Sequence, residues 1–453
     1  MASNVNVYYS SGEHELFAAK TLDELKPQAT DSDSCSVVKI SINAEQAYQE
    51  IDGFGASFTD SSAYLMNQVL SEAQREEAMQ KLFHPEQGIG LSVIRNPMGA
   101  SDYARDFYSY NDLPAGETDV DQALFSVAHD EADIIPLTKQ AHMLNPQLKL
   151  MGSPWSPPAW MKSSGSMIGG ELKPEYYASY AQYFVKYIQA YAEQGLHIYA
   201  ITPQNEPLYN PGHYPGMLML PEVQSEFIKH HLKPAFTAAG ITTKILCYDH
   251  NWDKPDYPLH VLDEAGDTVD GVAWHWYGGS PTAQSDVFLA DPSKEVHFTE
   301  GSGGEWIPAF EPAFSNVMRT GIAILRNYSK SFVLWNMALD EENGPFVPGF
   351  GQSTCRGLLK VNQQTKTLEY TLDYYALAHF SKCARPKAVR IEAEAAHDAI
   401  HTVAMRNEDQ SIAVIVFNDS EEANDISIER AHQEPIKLQL AAKSAVTVHI
   451  LDE

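Results

Sequence analysis

Between about residues 50 and 340, short apolar runs of strand length alternate with longer amphipathic stretches of helix length. Eight apolar runs stand out, at 50–58, 91–98, 149–156, 198–206, 243–250, 271–277, 295–301 and 331–339. Helix-like segments such as 71–83, 130–144, 175–194 and 221–239 separate them. Repeated strand and helix units build a parallel sheet, and eight of them close into a barrel. The pattern therefore predicts an α/β fold, a (β/α)8 TIM barrel.

The texture changes toward the carboxyl end. Runs at 387–394, 401–406, 411–417, 426–428 and 445–450 alternate apolar and polar positions with no helix between them, as in an all-β sandwich. The first 45 residues carry similar runs at 5–9 and 35–42. Both chain ends are thus expected in one accessory sandwich, with residues 1–45 and 379–453 flanking a barrel at 46–378. No solenoid-period repeat or low-complexity linker interrupts the chain, so the two domains should pack closely.

Composition narrows the class of partner. In 453 residues, 60 Asp and Glu outnumber 31 Lys and Arg, for a formal charge of -29. Such a field repels nucleic acid and anionic membrane, and a neutral substrate fits better. The acidity itself reads mainly as a device for solubility. Cys35, Cys247, Cys355 and Cys383 lie far apart with no C-x-x-C pair, so reduced thiols are expected rather than a zinc ribbon or a disulfide framework. No run approaches 18 apolar residues, and the amino end lacks the basic head and apolar core of a secretory signal. The expectation is a cytoplasmic chain without stable membrane insertion, although a trimmed exported form would read the same. Oligomeric state is not legible.

The candidate chemistry collects at the ends of the apolar runs. Asp60 follows the first, Arg95 and Asn96 end the second, and Trp155 and Trp160 follow the third. Asn205 and Glu206 end the fourth, Asp249 and His250 the fifth, His275 and Tyr277 the sixth, and Glu300 the seventh, while Trp335 and Asn336 sit in the eighth. A barrel gathers these ends around one pocket on its carboxyl face. Paired carboxylates in a cleft cleave glycosidic bonds, provided that one stays protonated to serve the leaving oxygen and the other stays ionised. Glu206, beside the amide of Asn205, suits the acid. Glu300 suits the nucleophile, with Arg95 and Tyr277 as stabilisers of its charge. An indole at Trp155 offers a flat face to a pyranose, against the plainer reading of a plug in a proline-rich loop. His275 and Tyr277 also admit a plain packing role. Asp249 with His250 could be metal ligands, a weak signal without a third ligand at fixed spacing.

Together, Asp52-Gly-Phe-Gly-Ala-Ser-Phe-Thr-Asp60, Ser92-Val-Ile-Arg-Asn-Pro-Met98, Ser153-Pro-Trp-Ser-Pro-Pro-Ala-Trp160, Asn205-Glu-Pro207, His275-Trp-Tyr277, Thr299-Glu300 and Trp335-Asn336 resemble glycoside hydrolase family 30, which includes glucosylceramidases and β-1,6-glucanases. The resemblance covers most of the chain. It implies a retaining mechanism on β-glucosides, no cofactor and no metal, with Glu206 as acid/base and Glu300 as nucleophile. It further implies that Asp60, Trp155, Asn205 and Trp335 hold the glucosyl unit, and that Arg95, His275 and Tyr277 surround the catalytic pair. Leu334 departs from the acidic residue that glucosylceramidases tend to carry before the tryptophan. The segments Gly212-His-Tyr-Pro-Gly-Met217 and Glu300-Gly-Ser-Gly-Gly304 look nearer to the β-1,6-glucanase branch. Rival readings are a carbohydrate-binding protein on a disabled barrel, a retaining β-xylosidase or β-fucosidase, and a metal-dependent barrel hydrolase using Asp249, His250 and His275.

Overall fold

The computed structural model describes residues 5–27, 37–304 and 310–451. The amino-terminal strands are β1 (Val5–Ser11), β2 (Glu15–Lys20) and β3 (Val38–Glu50). The barrel strands are β4 (Gly53–Ser57), β5 (Val93–Pro97), β6 (Lys149–Ser153), β7 (Ile198–Ile201), β8 (Lys244–Asn251), β9 (Gly271–His275), β10 (Glu295–Glu300) and β11 (Ser329–Asn336). Three short strands, β12 (Ala338–Leu339), β13 (Leu359–Val361) and β14 (Leu368–Tyr370), form a small sheet of their own. The chain ends with β15 (Val389–Ala395), β16 (Ile400–Arg406), β17 (Ile412–Asn418), β18 (Asn424–Arg430), β19 (Ile436–Leu440) and β20 (Ser444–Ile450).

All eight predicted runs become the parallel strands of one closed barrel, ordered β10-β11-β4-β5-β6-β7-β8-β9. Close approach at the seam of β4 and β5 needs Gly55, since a Cβ there would lie 1.6 Å from the Val93 carbonyl oxygen. The helix expected at 71–83 runs Glu72–Phe83, started by a capping box in which the Ser71 hydroxyl accepts from the Gln74 amide and the Gln74 side chain accepts from the Ser71 amide. The helix expected at 221–239 is broken into Pro221–Phe227, a π turn over Ile228–Leu232, and Lys233–Ala238. Pro234 has no amide to return to the preceding turn, and the wider turn ahead of it accommodates its ring.

Inside the barrel, Val93, Met151, Ala200, Leu246, Ala273 and Val333 form one apolar layer. Strand side chains repeat with period two, so the next inward positions on β5, β6, β9 and β11 are Arg95, Ser153, His275 and Trp335, with Thr202 the corresponding residue just past β7. The barrel is therefore apolar at mid-height and polar at its carboxyl end. On β8 the step from Leu246 is three residues. Tyr248 and Asp249 both take positive φ, 74° and 66°, and the register with β9 shifts between Tyr248 and His250. The extra residue packs Tyr248 against Trp274 and Tyr257 and turns Asp249 to the axis.

Both chain ends share one nine-stranded sheet, ordered β19-β18-β3-β15-β16-β17-β20-β1-β2, that curls over a single core including Val7, Ile40, Val414, Ile426, Leu438 and Val448. The long β3 carries this sandwich through Glu50 before the chain enters β4. The helix Leu372–Ser381 joins the two bodies through buried His379, which bonds Ser10 Oγ at 2.8 Å in β1 and Thr447 Oγ1 at 2.9 Å in β20. Of the run expected at 35–42, Cys35 and Ser36 lie outside the described residues. None of the helices among the described residues is long and apolar enough to cross a membrane.

Candidate active site

A cavity of about 380 Å3 opens at the carboxyl end of the barrel. Glu206 and Glu300 both line it, and one oxygen of each, with a ring nitrogen of His275, lie within 4.8 Å of one another. A larger cavity of about 760 Å3 lies alongside, lined by Trp252, Trp276 and Arg319 among others, and neither glutamate lines it.

Glu300 is 5% exposed and held from two sides. Arg95 donates from Nη1 to Oε2 at 2.9 Å, and the Tyr277 hydroxyl donates to Oε1 at 3.0 Å. The register between β9 and β10 shifts between Phe298 and Glu300, and Thr299 and Glu300 both bond groups at the barrel axis. The other terminal nitrogen of Arg95 donates to Asp249 at 2.7 Å, to Asn205 Oδ1 at 2.8 Å and to Ser153 Oγ at 3.2 Å. A buried guanidinium facing two carboxylates presents the planar fork that a lysine lacks.

Glu206 stands on a different footing. It takes positive φ, 47°, in the loop after β7, a conformation that costs about 1–2 kcal/mol for a residue with a Cβ. Its amide donates to the Asp249 carbonyl at 2.9 Å, and the Tyr209 amide donates back to its carbonyl at 2.8 Å. Its side chain meets His275 Nδ1 at 3.2 Å, with His250 at 4.0 Å. On its far side, His275 Nε2 reaches Asp249 Oδ1 at 3.0 Å. Strain at a functional loop is tolerated where its surroundings over-determine it, as these bonds do.

The charges form one coupled group. Burial opposes the His275 imidazolium, but Glu300, Asp249 and the bonds to Asp249 and Glu206 raise its pKa to about 9. Burial raises Glu206, and the His275 bond with the nearby histidines outweighs it, leaving Glu206 below the usual glutamate value. Glu300 sits above that value, because burial and the charges of Glu206 and Asp249 exceed the pull of His275 and Arg95. The two glutamates and the imidazole lie close enough that the protonation of each depends on the charge of the others.

The structure brings most of the expected residues together, with Arg95 and His275 beneath the two glutamates and Trp155, Asn205, Tyr277 and Trp335 lining the cavity. The two indoles stack on each other, ring centroids 4.8 Å apart, and lie beside the Arg95 guanidinium, so their faces back the cation while the pair lines the cavity. Asp60 is not brought to the cavity. Its oxygens accept from the Arg105 amide, the Arg105 guanidinium and His129, which hold it ionised against the cost of burial. Leu334, the departure from the acidic residue of glucosylceramidases, packs into the core outside the barrel's inner layer. Asp249 does not have the lone pairs of a metal ligand, because five donors occupy its oxygens: His275 and Thr299 on one, Arg95, Ser153 and Thr202 on the other.

Three groups at the site escaped the sequence reading. Asp102, five residues beyond the end of β5, lines the cavity with one enclosed oxygen lacking a hydrogen-bond partner. Burial, then the charges of Glu300 and Glu206, push its pKa up to about 8. Tyr209, Tyr214 and Phe350 form an aromatic rim, Tyr209 being 45% exposed. Lys162, fully buried, donates to Ser156 Oγ and to the carbonyls of Met167 and Gly216, tying the loop after β6 to the one after β7. Burial lowers its pKa to about 7. A lysine inside a proline- and serine-rich loop gave no periodic signal to find it by.

Sequence models of the glycosyl hydrolase family 30 TIM-barrel domain and β-sandwich domain match residues 51–384 and 387–448. An endo-1,6-beta-D-glucanase of Aspergillus fumigatus is 33% identical over 393 residues, covering 82% of this chain and 78% of the relative. The lysosomal acid glucosylceramidase of Mus musculus is 28% identical over 408 residues, covering 84% and 78%. Among solved structures, the endo-beta1,6-glucanase BT3312 superposes with a TM-score of 0.86 at 30% identity, covering 99% of this chain and 100% of that one.

Proposed function

The chain belongs to glycosyl hydrolase family 30, whose members are glycoside hydrolases, and from that premise we propose that it cleaves β-1,6-linked glucan with retention of configuration. In this reading Glu300 is the nucleophile and Glu206 the acid/base. The observation that carries it is the pair of carboxylates in one cavity, with one oxygen of each no more than 4.8 Å from the other and with unlike partners. Retention calls for carboxyl groups about 5–5.5 Å apart, whereas inversion needs roughly 6.5–9.5 Å to admit a water between them.

In the first half-reaction an oxygen of Glu300 attacks the anomeric carbon as the bond to the glycosidic oxygen breaks, and that oxygen takes the proton of Glu206. A glucosyl ester on Glu300 results. In the second, Glu206 takes a proton from water, the water oxygen attacks the same carbon, and Glu300 leaves as a carboxylate. Arg95 and Tyr277 stabilise that carboxylate at the start and the end of the cycle. The unpartnered oxygen of Asp102 and the amide nitrogen of Asn205 are two cavity groups placed to grip sugar hydroxyls. The reading needs a proton on Glu206, whereas the resting charges favour it on the neighbouring imidazole. The 3.2 Å bond between Glu206 and His275 gives that proton a direct path from the imidazole to the carboxylate.

The β-1,6 linkage is favoured by the relatives at 33% and 34% identity, which are endo-1,6-beta-D-glucanases, over glucosylceramidases at 28–29%. The exposed aromatic rim offers stacking faces to a sugar on the leaving-group side. The test is incubation with β-1,6-glucan, a glucosylceramide and an aryl β-glucoside, with products followed by proton NMR. Short β-1,6-linked oligosaccharides appearing first as β anomers are expected. Cleavage of the lipid with the glucan untouched would reverse the substrate assignment, and first-formed α anomers would remove the retaining mechanism.

A further inference from the structure

Asp249 takes no direct part in the reaction as proposed, yet it is the most heavily bonded side chain at the site. Five other barrel strands each contribute a partner. Arg95 comes from β5, Ser153 from β6, Thr202 from the end of β7, His275 from β9 and Thr299 from β10, at 2.6–3.0 Å. Its carbonyl also holds the Glu206 amide. Two consecutive residues with positive φ keep it turned inward, a backbone cost met at a position where Asp249 is fully buried.

We infer that Asp249 is a positioning residue for both members of the catalytic pair, seating Arg95 under Glu300 and fixing the His275 tautomer so that Nδ1 exchanges its proton with Glu206. The inference rests on the catalytic roles proposed above and adds the device that keeps them distinct. Arg95, His275 and the hydroxyls hold Asp249 ionised despite its burial, so it only accepts. His275 must then donate from Nε2 in every protonation state, which leaves Nδ1 as the nitrogen that gains or loses a proton against Glu206. The charged and titratable groups around it are Arg95, His275, Glu206, Glu300 and His250.

The sign of the effect follows from charge. An anion beside the Glu206–His275 unit raises its proton affinity, and it also raises that of Glu300. Asp249→Asn removes the anion at nearly constant shape. Both limbs of the pH profile of kcat/KM should move to lower pH by about one unit or more, as expected for a charge a few ångströms away. KM for an aryl β-glucoside should change less than about threefold, since Asp249 does not line the cavity.

The experiment is that profile for wild type, Asp249→Asn and Thr299→Val, in the full chain. Thr299→Val deletes one neutral donor to Asp249 and should leave both limbs in place. Loss of rate in Asp249→Asn with fixed limbs, or no change at all, would overturn the inference. If Asp249→Asn does not fold, nitrogen NMR of the wild-type imidazole decides. A proton on His275 Nε2 across the active pH range supports the inference, and a bare Nε2 overturns it. Failure of the underlying role assignment is seen separately, as an alkaline limb that survives in Glu206→Gln.

Discussion

Arg95 serves Glu300 and Asp249 at once, donating to the first from one terminal nitrogen at 2.9 Å and to the second from the other at 2.7 Å. One buried guanidinium thereby sets the orientation of Glu300 and of the carboxylate beneath Glu206. The remaining oxygen of Glu300 is left to Tyr277.

Tyr277→Phe deletes that second donor and nothing else on the carboxylate. Hydrogen bonds to charged groups contribute about 1.5–3 kcal/mol, so kcat/KM should fall roughly 10- to 150-fold. The lost donor stabilised the ionised form, so the pKa of Glu300 rises and the acid limb of the pH profile moves to higher pH. A profile that only scales down, with its acid limb unmoved, would contradict the contact.

Glu206→Gln removes the proposed proton donor while keeping the size of the side chain. Hydrolysis of unactivated glucan should drop by about 10²–10⁴. An aryl β-glucoside with an acidic phenol needs no proton for its departure and should still form the glucosyl ester. Steady-state assays on both substrates, with azide added to attack the ester, check this, and equal losses on the two would count against an acid role for Glu206.

Asp102→Ala should separate stability from activity. Its enclosed oxygen has no partner, so the folded protein gives up no hydrogen bond from that oxygen, and the melting temperature should stay the same or rise. Losing a neutral hydrogen bond to a sugar hydroxyl, the carboxyl being held protonated near neutral pH by its raised pKa, should lower kcat/KM about 2- to 12-fold. Calorimetry beside kinetics tests both halves, and undiminished activity would remove Asp102 from the sugar site.

The barrel was legible because its eight strands are apolar runs whose polar ends all converge, and Glu206, Glu300 and Arg95 were found at those ends for that reason. Asp249 was placed at a strand end, with metal ligation only a weak reading of it, but its turn to the axis was not legible, since counting by twos from Leu246 points Tyr248 inward and Asp249 outward. The positive φ values that add a residue there leave no mark in residue type. Asp60 closes an apolar run as convincingly as Arg95 does, but Arg105 and His129 claim it through contacts no local pattern encodes. Asp102 was passed over because it lies in a loop rather than at a strand end. In the sandwich, β2 and β19 were missed. The first, Glu15–Lys20, has little alternation, and the second, Ile436–Leu440, is short and follows a polar turn.

His379 makes the joint between barrel and sandwich sensitive to acid. Burial depresses its pKa to about 3, against about 6.5 in the unfolded chain. The stability it contributes is therefore complete above pH 6.5 and is lost as pH falls toward 3, by up to about 1.4 kcal/mol per pH unit. His379→Gln, although less stable at neutral pH, should show a shallower loss between pH 6 and 4 by about one proton's worth. Parallel slopes in denaturant titrations of the two proteins would refute this.

The central claim is that Glu300 forms a covalent ester with the sugar. A 2-deoxy-2-fluoro-β-glucosyl fluoride slows both half-reactions, the second more, and should inactivate the enzyme with one fluoroglucosyl unit per chain. Peptide mass spectrometry should find that mass on the fragment containing Glu300, and Glu300→Gln should take up none. A label on Glu206, or time-dependent inactivation with no covalent label, would contradict the account.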